Sequence, residues 1–186
     1  ESFKTISAAA GNAAMCHYAT SLEQNAPVLP DNPYLLDSGG QYDTGTTEIT
    51  RSFCFGAMPE GYARAYTAVF KAFHALATLR FPKGTQGHQI DAICRRPLWD
   101  LGLDYDHGTG HGIGHCLSVH EHPQRICKEV NPVDLVPGMV LSIEPGYYAA
   151  GRFGIRIENL FEIVEDTDGF LSFRNLTFAP IQTDLL

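Results

Sequence analysis

The sequence predicts an α+β fold with helices on one face of a mostly antiparallel sheet. Two observations carry this. Strand-like segments come first, two helical periods follow, and strand-like segments return. A chain of 186 residues is long enough for one domain with a core and short for two. No internal repeat, heptad or low-complexity tract breaks the pattern.

Residues 3–19 read as extended, with small residues and Gly11. Leu22 to Pro33 reads as a loop, marked by Asn25, Pro27, Pro30 and Pro33. Strands are expected at 34–37 and 46–55, around a turn rich in Gly, Asp and Thr. A helix starts near Pro59, a residue suited to a first turn. Tyr62, Tyr66, Val69, Phe70, Phe73, Leu76 and Leu79 recur at helical spacing, and Pro82 and Gly84 stop the run. A second helix is predicted over 86–101, with Ile90, Ile93, Leu98 and Leu101 on one side and a bend or split at Pro97. A Gly-rich stretch covers 107–115, and strands follow at 139–144, 154–165 and 170–178. Trp99 and the aromatics of the first helix are assigned to the core.

Composition narrows the functional classes. The hydrophobic fraction of 44% and charged fraction of 18% are those of a folded soluble chain. No apolar run reaches the ~18 residues of a membrane span. A formal net charge of −8, with no basic run longer than Arg95-Arg96, disfavours nucleic acid. The five cysteines form no C-x-x-C pair, so free thiols in a reducing, cytoplasmic setting are expected. Cys116 is read as a buried, inert thiol.

Two carboxylate pairs stand out. Glu144 and Glu158 end apolar strand patterns and are equidistant from Gly151. A hairpin centred on that glycine places them opposite each other, with Cβ atoms ~4.5–5.5 Å apart. Asp37 and Glu48 flank a turn centred between Tyr42 and Asp43 in the same way. Opposed carboxylates must share a proton, meet a cationic side chain or bind metal. Two such pairs in one chain point to a metal cluster. Arg156, two residues before Glu158, shares its strand face and can orient a carboxylate or offset charge.

The segment from His107 to His115 carries glycine at each even position. Such a chain is extended rather than helical, so His107, His111 and His115 project to one side. His120 and His122 follow. Four carboxylates with one imidazole form a hard, oxygen-rich donor set that suits Mn²⁺ better than structural zinc.

These residues lie in five linked motifs: Asp37-Ser38-Gly39-Gly40-Gln41-Tyr42, Gly45-Thr46-Thr47-Glu48-Ile49-Thr50-Arg51, His107-Gly108-Thr109-Gly110-His111-Gly112, Glu144-Pro145-Gly146-Tyr147-Tyr148 and Gly154-Ile155-Arg156-Ile157-Glu158-Asn159. Together with Ser2-Phe3-Lys4-Thr5-Ile6 and His17-Tyr18, they resemble the soluble aminopeptidase P (Xaa-Pro aminopeptidase) branch of the pita-bread metallopeptidases. The resemblance runs over nearly the whole chain. It implies a pita-bread fold, with residues 1–186 a partial catalytic domain that lacks its N-terminal part and the upstream domains. It implies hydrolysis of the bond between an N-terminal residue and proline in a peptide substrate. It implies two divalent ions, Mn²⁺ first, with Co²⁺ or Zn²⁺ as alternatives. By that resemblance Asp37 chelates one ion, His111 and Glu144 hold the other, and positions 48 and 158 bridge. Glu144 is the general base, and His17, His107 and His120 bind substrate and stabilise the tetrahedral intermediate. Arg156 is placed with the substrate-binding residues. His115 and His122 match no family histidine and are not assigned as ligands.

The family has Asp where this chain has Glu48, one methylene longer. The missing segment also suggests an exposed edge covered by a second copy or by an N-terminal portion of the same protein. Two other readings were weighed, a prolidase-type dipeptidase and a non-catalytic peptide-binding fragment. The latter is disfavoured by the complete set of candidate ligands. A methionine aminopeptidase and a metal-free creatinase-like hydrolase fit the motifs less well.

Overall fold

The computed structural model describes residues 1–23 and 25–186. The predicted loop over 22–33 is confirmed where it is described, and position 24 lies outside the described residues.

Among the described residues the strands fall into short antiparallel sheets. β1 (Ile6–Ala9), β2 (Tyr34–Ser38) and β5 (Ile49–Phe53) form a sheet in the order β1-β2-β5. β3 (Gln41–Tyr42) and β4 (Gly45–Thr46) are the tip of the β2–β5 connection. β6 (Gly110–Gly112), β7 (Glu121–Ile126), β8 (Val140–Ile143), β11 (Asn159–Glu165) and β12 (Leu171–Asn175) form a second sheet in the order β12-β11-β8-β6-β7. β9 (Gly146–Ala149) and β10 (Phe153–Arg156) pair with each other.

Helix α1 (Tyr62–Ala77) buries Tyr62, Ala65, Tyr66, Val69, Ala72, Phe73 and Leu76, the stripe its sequence spacing predicts. Tyr62 meets Phe153 of β10 edge-on at 5.1 Å, and Phe73 meets Phe161 of β11 at 5.9 Å. Helix α2 (Gly87–Trp99) is opened by reciprocal bonds between Gln86 and Gln89. Gly87 is required there, because a Cβ would sit 1.9 Å from the Arg125 carbonyl of β7. The two helices pack on each other and cover one side of the sheets, as the α+β reading expects.

Several expectations need correction. Only Ile6–Ala9 of the 3–19 segment is strand, and Ala10–Ala14 is a 3₁₀ turn. Pro97 neither bends nor splits α2. It lies in the last turn, and the helix runs on to Trp99. The buried face of α2 is Ile90, Asp91, Cys94, Arg95 and Leu98 rather than a purely apolar one, which turns Ile93 and Trp99 outward. Trp99 is 46% exposed, not core. Cys116 is exposed, in a tight turn with φ 56°. β7 was not predicted, since Glu121-His122-Pro123-Gln124-Arg125-Ile126 lacks strand alternation. The predicted strand 154–165 is two strands in two sheets, with the break at Ile157 and Glu158.

The register of β2 with β5 also differs. Asp37 lies opposite Thr50, not Glu48. The turn is centred one residue later than expected, with Tyr42 opposite Gly45. The shift of partner is even, so Glu48 remains on the Asp37 side.

Candidate metal centre

Each candidate ligand lies in, or just beyond, a strand. Asp37 is on β2 and His111 at the middle of β6. Gly110 lets β6 lie close to β8, since a Cβ there would be 2.0 Å from the Ser142 carbonyl. Glu144 follows the last residue of β8, where Pro145 ends the ladder, and its N–H donates to Thr109 O at 2.8 Å. Glu158 sits in the break between β10 and β11. Its N–H donates to Thr50 O at 3.2 Å, and its carbonyl accepts from Arg51 Nη1 at 2.7 Å. The β9–β10 register, with Tyr147 opposite Ile155 and Gly146 opposite Arg156, extends to place Glu144 across from Glu158, as the symmetry about Gly151 predicts. Glu48 lies immediately before β5 and is buried.

These side chains converge. Asp37, Glu48 and Glu158 offer oxygens within 4.8 Å of one another, and so do the ligand atoms of His111, Glu144 and Glu158. Glu158 therefore belongs to both groups. A third group joins Glu48, His111 and His120 within the same distance. His111 Nε2 stands 3.3 Å from Glu48 Oε2 and 3.3 Å from Glu144 Oε1. The extra methylene of Glu48 is accommodated without removing its carboxylate from the cluster.

Among the described residues, Asp37 Oδ1 and Glu158 Oε1 are buried with no hydrogen-bond partner, and Glu48 Oε2 and His111 Nε2 lack a well-aligned one, meeting only across the 3.3 Å contact within the cluster. Buried polar atoms are normally satisfied, so atoms left in this way and facing one another mark a place for cations. Four carboxylates and one imidazole fit two divalent ions of the hard class.

The electrostatics agree. Burial, reinforced by Glu48, raises the Asp37 carboxyl despite the adjacent Arg156 guanidinium. Burial pushes Glu144 up to about 7 against the pull of His111. Burial and the neighbouring carboxylates push Glu158 well above its ordinary value. Burial would lower the His111 imidazole, but Glu48 and Glu144 outweigh it and hold it at about 9. In metal-free protein the cluster retains protons that a cation would displace.

Arg156 is buried and donates to Asp37 Oδ2 at 2.6 Å, to Thr50 Oγ1 at 3.1 Å and to Tyr148 Oη at 2.8 Å. The expected charge-offsetting position is therefore occupied. Gly108 O can only accept, so Nδ1 carries the proton of the neutral His107 ring, and the Tyr148 hydroxyl donates to His107 Nε2, 2.8 Å away. His107 Nδ1–H donates to Gly108 O at 2.8 Å. Burial lowers His107 to about 4 and keeps the imidazole neutral. His120 stacks edge-on against His111 at 4.3 Å, and burial together with His111 lowers its pKa.

His17, His107, His111 and His120 line one cleft of about 330 Å³ with Asp37, Glu48, Glu144 and Arg156. His122 also reaches this cleft, whereas His115 is exposed and outside it. The projection of His115 with its two neighbours fails because a bulge after His111 breaks the alternation. Sequence reasoning gave no role to Tyr148, Thr50 or Ser142. Thr50 donates to Glu158 Oε2 at 2.7 Å, and Ser142 Oγ accepts from the His111 N–H at 3.0 Å and donates to Glu144 Oε1 at 3.1 Å. Tyr148 and Thr50 lie within quoted motifs, and strand parity from Arg156 and Asp37 could have found them.

Comparison with known proteins follows the same lines. Residues 1–165 match the model of metallopeptidase family M24. The chain is 46% identical over its whole length to Aminopeptidase P1 of Arabidopsis thaliana, covering 30% of that protein. It is 45% identical to Xaa-Pro aminopeptidase 2 of Homo sapiens, again over its whole length and 28% of that protein. It thus spans about 30% of the length of these relatives. The structure superimposes on the X-prolyl aminopeptidase of Caenorhabditis elegans, described as a cytosolic enzyme with a di-nuclear active site. The TM-score is 0.95 at 42% identity, over 99% of this chain and 31% of that one. Prolidase from Pyrococcus furiosus gives a TM-score of 0.84 at 28% identity, over 96% of this chain and 50% of that one. Family model, sequence and fold agree that the chain belongs to metallopeptidase family M24.

Proposed function

We propose that this chain carries the dinuclear site of an Xaa-Pro aminopeptidase, which removes the residue preceding proline from a peptide N-terminus. The observation that supports it most is the convergence of Asp37, Glu48, His111, Glu144 and Glu158 around buried polar atoms that lack well-aligned hydrogen bonds, Asp37 Oδ1 and Glu158 Oε1 among them. The names of the sequence relatives supply the substrate class. The assignment of residues 1–186 to part of a catalytic domain is supported by the family match over 1–165.

Two divalent ions, when bound, would lower the pKa of a water and polarise the scissile carbonyl. Asp37 would hold one ion and His111 with Glu144 the other, while Glu48 and Glu158 would bridge. The oxygen-rich set favours Mn²⁺. Glu144, which lines the cleft 3.3 Å from His111 Nε2, would take the proton of the attacking water. That proton passes to the prolyl nitrogen as its bond to the carbonyl carbon breaks. His17, His107 and His120 line the cleft and would contact the peptide, His120 as a hydrogen-bond partner and His107, whose two ring nitrogens are held by Gly108 and Tyr148, by exchanging the Tyr148 contact for the peptide. Arg156 holds the Asp37 carboxylate and compensates charge.

Cytoplasmic location is supported by the cytosolic description of the nematode neighbour. Among the described residues the five cysteines are all free thiols, and no helix is long and apolar enough to cross a membrane. A homodimer, or pairing with an N-terminal portion of the same protein, is supported by the edge position of β1. A strictly monomeric species in sedimentation would count against it.

Hydrolysis of an Arg-Pro-Pro type peptide, with and without added Mn²⁺, tests the main reading. Metal-dependent release of the first residue is expected. Cleavage of Xaa-Pro dipeptides alone would transfer the assignment to the prolidase type. Metal binding without turnover would favour the peptide-binding reading.

A further inference from the structure

Behind the metal cluster lies a second set of buried charges that the proposed reaction does not use. Arg95 of α2 is 1% exposed. Its Nε donates to Asp91 Oδ2 at 2.7 Å, one turn earlier on the same helix. Its Nη1 donates to Asp104 Oδ1 at 2.9 Å and to the Tyr105 carbonyl, and its Nη2 donates to the His107 carbonyl at 2.9 Å. The guanidinium also stacks over the Tyr105 ring, 3.9 Å from its centroid.

Asp91 completes the set. Its Oδ1 accepts the hydroxyl proton of Thr109, a residue with no solvent exposure. The carboxylate can only accept, so the Tyr105 hydroxyl must donate to Thr109 Oγ1 at 2.6 Å. The pair thus grips Tyr105, His107 and Thr109, alternate residues of the irregular segment leading into β6. Thr109 lies two residues before His111, and its carbonyl accepts the Glu144 N–H at 2.8 Å.

We propose that Asp91 and Arg95 are positioning residues for the metal centre, fixing the 105–111 segment so that His111 and Glu144 present their donor atoms together. The inference rests on the reading of that cluster as a metal site. A buried ion pair is a weak source of net stability, because desolvation cancels most of its attraction. A pair whose fork is spent on the carbonyls of one segment instead specifies where that segment lies. An Arg95→Lys change would keep the charge beside Asp91 but lose the fork that reaches two carbonyls.

The test titrates Mn²⁺ alone into the chain by calorimetry and records Tm in parallel. The variants are Arg95→Lys, Arg95→Met and the double variant Asp91→Leu with Arg95→Met. Arg80→Met, which removes only the exposed pairs with Asp166 and Asp168, is the control. The expected result is a loss of about 10- to 100-fold in Mn²⁺ affinity for all three, the scale typical of an outer support of metal ligands. The double variant should regain Tm over Arg95→Met without regaining Mn²⁺ affinity. Mn²⁺ affinity that follows Tm across the series, or an Arg95→Lys protein that binds Mn²⁺ as tightly as the unsubstituted chain, overturns the inference. Failure of the unsubstituted chain to bind Mn²⁺ would instead refute the metal reading on which it rests.

Discussion

Two charge clusters sit on either side of the His107–His111 segment, the rear one running from buried Asp91 and Arg95 out to exposed Asp104 and Lys128, and they are built on opposite rules. Behind it, Asp91 and Asp104 are matched by Arg95 and Lys128 through direct contacts. Burial would lift the Asp104 carboxyl, yet Lys128, the Tyr105 N–H and Arg95 hold it down at about 2. In front, the four carboxyls of Asp37, Glu48, Glu144 and Glu158 outnumber their cationic partners: Arg156 pairs with Asp37, His111 stands 3.3 Å from Glu48 and Glu144, and Asp37 Oδ1 and Glu158 Oε1 have no partner. Burial shifts the Asp37, Glu144 and Glu158 carboxyls upward instead. A satisfied cluster has no further ligand to take up and can only locate the chain. An unsatisfied one is unfavourable by itself and is completed by cations.

That contrast predicts opposite responses to charge removal. Glu158→Gln should have the largest effect. It removes a carboxylate common to both ligand groups, so Mn²⁺ binding and turnover should fall well beyond the roughly 10- to 100-fold seen for outer supports of metal ligands. The same change should raise the Tm of metal-free protein, because the cost of burying a carboxyl that must be protonated to fold is gone. A lower metal-free Tm would break the contrast. Arg95→Met should do the reverse behind the segment, lowering stability by about 3–5 kcal/mol as an unpaired Asp91 stays buried. Denaturant unfolding of the two metal-free variants measures both signs.

Proton release supplies a finer test. Glu144, from 4.5 to about 7, and His111, from 6.5 to about 9, both have folded values above their ordinary ones. Protonated forms are favoured in the metal-free fold, and that contribution is lost as pH rises through those folded values. Metal-free protein should therefore lose stability as pH rises from about 4.5 to about 9, and the Tm gain on adding Mn²⁺ should grow over the same range. A gain independent of pH would contradict the linkage. The smallest effect is expected for Glu48→Asp, which restores the family's residue. Metal affinity or turnover should rise, by less than the ~10²-fold that a 1 Å displacement can cost. Unchanged stoichiometry and turnover would show that the longer side chain bridges equally well.

The front cluster was more legible in the sequence than the back one. The Glu144–Glu158 pairing could be read because the β9–β10 turn is symmetric about Gly151, and no bulge disturbs it. The Asp37–Glu48 pairing was misplaced by two residues, since the turn shifts to Asp43 and Thr44. No sequence rule announces that Thr47 N–H donates to Gly40 O just beside it. Strand parity rescued the face if not the partner. β7 escaped because Pro123 and flanking polar residues hide a strand buried only at Gln124 and Ile126. Asp91 and Arg95 escaped for a different reason. An acid and a base four residues apart on a helix read as a solvated pair. Only the fold shows that the 105–109 segment covers them, and the same burial turns Trp99 outward.

The central claim is that the front cluster is completed by two cations that share carboxylates, Glu158 foremost. Equilibrium Mn²⁺ binding to the unsubstituted chain and to Glu158→Gln, with metal counted by elemental analysis, tests it most directly. The account predicts two ions per chain and loss of tight binding at both sites on the single substitution. Fewer than two ions in the unsubstituted chain, or retention of both after the substitution, would contradict it.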